Sequence, residues 1–181
     1  MSIFNLRNVL LGIIATVAMD VLSVAAIKLR LIAPLPPHLI GRWFASVARG
    51  KVRHSDIGQV FPIQHEMAIG VPVHYAIGVT LTLVYVLACS TFGLSPRSPV
   101  IALGFAVCTN LFPWLLMFPS MGYGWFGAHG PTGSRLFVSS FLTHCFYGFG
   151  LWLGASLWLN ATECHSWLAG FDVAIFATTT E

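Results

Sequence analysis

Asp20, His74, Asn110 and His144 are the side chains whose types and placement could do chemistry, because each interrupts a different apolar run. An imidazole can pass a proton near neutral pH or offer a lone pair to a metal, and a carboxylate can steady either cation. Facing lipid, such groups are costly. They are therefore expected to turn inward, where intramembrane ionisable residues serve as ion or substrate sites, proton relays or ligand counter-ions. Counted from one end of each run at about 1.5 Å per residue, all four fall at a depth of ~9 to 12 Å. Convergence of the four at one level of a helical bundle is the expectation that organises the sequence.

The elements that must position them follow from composition. Of 181 residues, 56% are hydrophobic and 8% charged, where soluble domains carry about 25% charged residues. The chain thus reads as an all-α integral membrane protein, a single membrane domain over 1–181. Four runs have the length of a transmembrane helix, at 9–27, 68–89, 100–118 and 136–159. Gly12, Thr16, Asp20 and Ser23 in the first, and Glu66, Gly70, His74, Gly78, Thr82 and Tyr85 around the second, recur at helical spacing. Such small, polar faces pack against other helices. Pro113, one turn after Asn110, predicts a broken backbone ladder in the third span. The fourth carries Ser140, His144, Tyr147 and Gly148 on one side. Ser23-Val24-Ala25 has the look of a signal-peptide cleavage site, but a carboxylate at Asp20 opposes cleavage.

Lys28, Arg30, Arg42, Arg49, Lys51 and Arg53 lie in the long loop 28–67, and Arg135 lies between the third and fourth runs. Only Arg7 and Arg97 fall on the other side, so the positive-inside rule places both of those loops in the cytoplasm and both termini outside. This topology explains the net charge of +3 without a nucleic-acid partner. His38 to Arg49, with Leu39, Ile40, Trp43, Phe44 and Val47 on one face, predicts a short helix, either lying in the membrane interface or packed on the bundle. Arg42, Trp43, His54, His65 and Glu66 are loop candidates for a metal or a lipid headgroup, set against a reading as ordinary solvated residues. The glycine-rich Pro119 to Ser134 lacks a phosphate-binding pattern; Tyr123, Trp125 and Phe126 read as an interfacial anchor. Cys89, Cys108, Cys145 and Cys164 show no metal-ligand spacing. Cys89 and Cys164 would share the outer side, where a disulfide could form, although four small hydrophobes is the plainer reading. Trp167 to Phe176 is too short to cross again, and the Asn160-Ala161-Thr162 sequon matters only in a eukaryotic secretory setting.

Three readings of the intramembrane set stay open. The polar residues could be helix-packing glue, with Asp20 bonded to one histidine and Asn110 to the other. His74 and His144 could hold haem or a metal, with Gly70, Gly78 and Gly148 making room, as in a redox subunit or enzyme. The third reading is a binding or transport site for an ion, a proton-coupled solute or a lipid-derived ligand. Neither G-x-S-x-G nor H-E-x-x-H is present to support hydrolysis. Beyond the lipid bilayer, the expected partner is a second copy or another subunit of a membrane complex.

GIIATVAMD in the first span, LIGRW followed by GKVRH in the loop, HYAIG in the second span, P-x-x-x-M-x-P-x-M-G-Y-G after the third and H-x-x-x-G-F-G-L-W-L in the fourth form a further pattern. It resembles a bacterial inner-membrane family, domain-of-unknown-function family 2938, over roughly Gly12 to Leu157. The resemblance implies a bacterial four-helix membrane protein and supplies no activity, substrate or cofactor. The residues it highlights, Asp20, Arg42, Trp43, His74, Pro113, Pro119 and His144, overlap with those found by depth. Alkaline phosphatase fused after Glu181 is expected to be active; an inactive fusion whose fluorescent-protein counterpart glows in the cytoplasm would overturn the topology.

Overall fold

The computed structural model describes residues 3–158; Cys164, the sequon at Asn160, the patch from Trp167 to Phe176 and the C-terminus lie outside them. Helix α1 spans Leu6–Lys28 and is capped by Asn5, whose side chain accepts the Asn8 amide. Pro37–Val47 forms α2, opened by a proline whose missing N–H has no role in a first turn. The long α3 covers Glu66–Thr91 and α4 covers Pro99–Thr109. A π-helical turn, Pro113–Met117, runs on into the short α5, Phe118–Met121, and α6 spans Ser134–Trp158. The described residues contain no strand. Four segments, Leu6–Lys28, Glu66–Thr91, Pro99–Met121 and Ser134–Leu157, are long and apolar enough to cross a membrane.

The third of these segments is broken where Asn110 and Pro113 predict it. Proline has no amide to donate and its ring crowds the preceding turn, so the regular ladder stops after α4. It resumes with a wider turn in which the Phe118 amide donates to the Pro113 carbonyl, five residues back.

Helix α1 is central, packed on both α3 and α6, and α6 packs in turn on α4. Small residues make these approaches close. A Cβ on Gly12 would lie 2.7 Å from Val79 Cα, one on Gly150 would lie 2.9 Å from Ala15 Cα, and one on Gly148 would lie 2.8 Å from Ala106 Cβ. Between apolar helices in lipid, where no hydrophobic force drives association, such contact is the main source of adhesion. The α3 and α4 helices meet only marginally. Tyr85 bridges them, its ring 5.2 Å from that of Phe105 and its hydroxyl donating to the Pro96 carbonyl at 2.8 Å.

The helix expected from His38 to Arg49 is present as α2, and it packs on the start of α3. Gly41 and Gly70 form this crossing: a Cβ on the first would collide with the Glu66 carbonyl and one on the second with the Pro37 carbonyl. On its apolar side Trp43, Phe44 and Val47 join a second core with Phe118, Met121, Tyr123 and Leu136. Arg42 is only 4% exposed. Its Nε and Nη2 donate to the two Glu66 carboxylate oxygens, each at 2.9 Å, while Nη1 donates to the carbonyls of Ile57 at 3.1 Å and Val60 at 2.9 Å. The bond to Glu66 raises the pKa of Arg42 above its already high value, so the guanidinium stays charged. Removing one member of such a pair strands the other charge, which costs about 3 kcal/mol. Arg42→Ala is therefore expected to lower the melting temperature in detergent, and Arg42→Lys not to restore it, because an ammonium has three donors for these four bonds and no planar fork to hold both carboxylate oxygens. An unchanged melting temperature in Arg42→Ala would remove this clamp from the account.

Candidate functional site

Where α1 and α3 cross, the small residues lead directly to the polar ones. Gly12 lies against Val79 and Thr82, Thr16 against Gly78, and Asp20, one turn further, against His74 and Tyr75. His74 Nε2 is 3.0 Å from Asp20 Oδ1, and the Tyr75 hydroxyl donates to Asp20 Oδ2 at 3.0 Å. Consecutive residues of α3 thus grip both oxygens of one carboxylate, with their rings edge to face at 87°. Asp20 nevertheless keeps 40% of its side-chain surface exposed, so these two bonds do not enclose it.

His144 is held from the third span. Its Nδ1 lies 2.7 Å from Thr109 Oγ1, and the Thr109 hydroxyl donates to the Ala106 carbonyl at 2.6 Å. With that proton committed, Thr109 accepts from Nδ1–H, which assigns His144 the tautomer whose Nε2 carries the lone pair. No described residue bonds to that Nε2. Asn110 is fully buried; its Nδ2 donates to the Val107 carbonyl at 3.2 Å, and its Oδ1 accepts from the Ser140 hydroxyl at 3.0 Å. Tyr147 ties α6 to α3 by donating to the Gly78 carbonyl at 2.6 Å, with Thr82 Oγ1 at 2.8 Å.

These groups surround a cavity of about 500 Å³. Asp20, Ser23, His74, Tyr75, Ser140, Thr143, His144 and Tyr147 give it polar surface; Met19, Val24, Ile27, Leu35, Ile40, Ile77, Leu81, Pro113, Met117, Phe118 and Leu136 make the walls largely apolar. No lysine or arginine lines it. Asp20, His74 and His144 are therefore brought together, whereas Asn110 stands behind the wall and positions Ser140. Ser23 is 8% exposed, and its buried Oγ has no partner. Among the described residues, no three of His, Cys, Asp or Glu gather to hold a metal ion. Ligation by the two histidines would have to use His74 Nδ1 and His144 Nε2, since the other ring nitrogens face Asp20 and Thr109.

The loop candidates are dispersed. Arg42 and Glu66 satisfy each other, and Trp43 Nε1 donates to the Val52 carbonyl at 3.1 Å. His65 is exposed and precedes α3 with a left-handed φ of 63°. His54 is buried, with neither ring nitrogen hydrogen-bonded. In the glycine-rich loop Trp125 and Phe126 are exposed while Tyr123 is buried, which pushes its phenol up to about 12. Sequence reasoning overlooked Tyr75 and Thr109. The available signal was adjacency: each neighbours a residue already selected, and each can bond across a helix interface.

A family model described as a protein of unknown function (DUF2938) matches residues 9–158. The chain belongs to that family. The matched stretch contains every residue lining the cavity. Comparison with curated proteins and with solved structures finds no match.

Burial of His54, reinforced by the charge of Lys51, holds its pKa below the ordinary 6.5. The folded chain thus keeps this imidazole neutral where the unfolded chain would take up a proton. His54 contributes its full stability above pH about 6.5 and loses it as pH falls toward the lower folded value. Thermal unfolding at pH about 7.5 and about 5 should show a larger acid loss for the wild type than for His54→Leu; equal losses would show that His54 does not contribute.

Proposed function

We propose that this chain is a multi-pass protein of a bacterial inner membrane that binds, and as a transport module carries, an amphiphilic ligand. Its polar head would meet Asp20, His74 and His144, and its apolar body would fill the rest of the cavity. The observation that carries this reading is the cavity itself, of about 500 Å³, with mostly apolar walls and a carboxylate and two imidazoles in its lining. Small-molecule sites have this size and this mixture of apolar wall with few, placed polar groups.

Helix-packing glue accounts for several of the bonds, since Asp20–His74 joins α1 to α3 and Thr109–His144 joins the third span to α6. It leaves a roomy cavity, an unbonded Nε2 and an unpartnered Ser23 hydroxyl unexplained. A redox subunit is favoured by the presence of two histidines in one cavity, each with one ring nitrogen engaged, as in ligating histidines, and the other open.

Val24 lines the cavity and is 52% exposed, so a larger side chain there fills the cavity without entering a packed interface. Purified protein is expected to gain several degrees of melting temperature from an amphiphile that binds, and Val24→Trp to keep its own melting temperature while losing that gain. A gain of equal size in Val24→Trp would place binding elsewhere. A Soret band in protein from haem-supplied cells, lost in His74→Ala, would establish the redox reading instead.

A further inference from the structure

The charge of the cavity specifies the head group, given the binding role proposed above. Asp20 is the carboxylate in the lining, and no lysine or arginine lies there to neutralise it. Its two contacts, His74 and Tyr75, can be neutral donors. The titratable groups that face it are His74 and Tyr75 from α3 and His144 and Tyr147 from α6; α2 and the third span supply only apolar lining residues. Both phenols are committed, to Asp20 and to the Gly78 carbonyl. An uncompensated carboxylate is costly among apolar helices, so it must be balanced by a proton or by another cation.

We propose that the ligand is a lipophilic organic cation, a protonated amine or quaternary nitrogen on an apolar body, which exchanges with one proton held by the Asp20–His74 pair. With His74 protonated, the pair is an ion pair and the cavity is neutral overall. The cation takes over that compensation, the imidazole proton leaves to water, and the cavity charge is the same before and after. The partly exposed ring of Tyr75 in the lining adds aromatic surface suited to a cationic nitrogen. Ser23, buried and unpartnered, offers an acceptor to an ammonium N–H. A phospholipid amine would bring a phosphate for which the lining has no cation; the chemistry therefore points to a free lipophilic cation.

The test is isothermal titration of tetraphenylphosphonium into the full chain in nanodiscs, in two buffers of different ionisation enthalpy. Binding should release about one proton, and affinity should rise about tenfold per pH unit while the protonated pair dominates, then level off. Asp20→Asn, which keeps the shape, removes the charge and turns one of the two accepted hydrogen bonds into a donated one, should weaken binding at least tenfold. His74→Gln should still bind, because Asp20 keeps the charge that the cation balances. Phosphatidylethanolamine in the nanodisc that competes with the probe would overturn the assignment to a free cation and place the same nitrogen chemistry on a lipid. Tetraphenylborate binding in the cation's place would overturn the charge assignment and leave the cavity as a binding site. Undiminished binding in Asp20→Asn, or binding by the wild type with no proton released, would overturn the exchange. Failure of both probes, and of neutral amphiphiles, to bind would remove the binding role as well.

Discussion

The close crossing of α1 and α3 is the contact on which the polar architecture depends. Gly78 has no side chain where Thr16 lies, and Gly12 has none where Val79 lies, so the two backbones approach to a distance that larger residues would prevent. At that distance a short aspartate one turn further along α1 reaches both His74 and Tyr75. A side chain at Gly78 would collide with the Thr16 hydroxyl and push the helices apart. The geometry of the Asp20–His74–Tyr75 contact is thus inherited from the packing of small residues.

The polar groups divide into two kinds. Asn110, Thr82 and Ser139 are fully buried and bonded, and they fix helix rotation by leaving no other way to satisfy their hydrogen bonds. Asp20, His74 and His144 are bonded at one atom or edge and open at another. Firm bonding on one side holds an open group in a fixed direction, which is what recognition of a ligand asks of it.

The apolar runs locate the long helices well because length and hydropathy are properties of each segment alone. The 9–27 run becomes Leu6–Lys28, 68–89 becomes Glu66–Thr91, and the break at Asn110 and Pro113 falls where proline chemistry requires it. Rotation about the helix axis is not a property of that kind: Asn110 sits behind Ser140. Thr109, one residue earlier, reaches the imidazole instead. Arg42 is a harder case. A charged residue in a loop reads as solvated unless its partner is known, and Glu66 is 24 positions away in the chain. Their pairing depends on the α2–α3 crossing at Gly41 and Gly70, which no local pattern encodes.

The weak contact between α3 and α4 gives the molecule an uneven stiffness. Toward α3 the third span is held by little besides Tyr85, whereas its Pro113–Met121 half joins α2 and α6 in the second core. Separating α4 from α3 breaks few native contacts, so that direction is the soft mode of the scaffold. Pro113 adds to the softness, since a π-turn beside a missing amide resists bending less than a continuous ladder. The softness stops short of the cavity wall at Phe118, which is packed into the second core, and the face carrying Asp20 and His74 lies at the close crossing of α1 and α3.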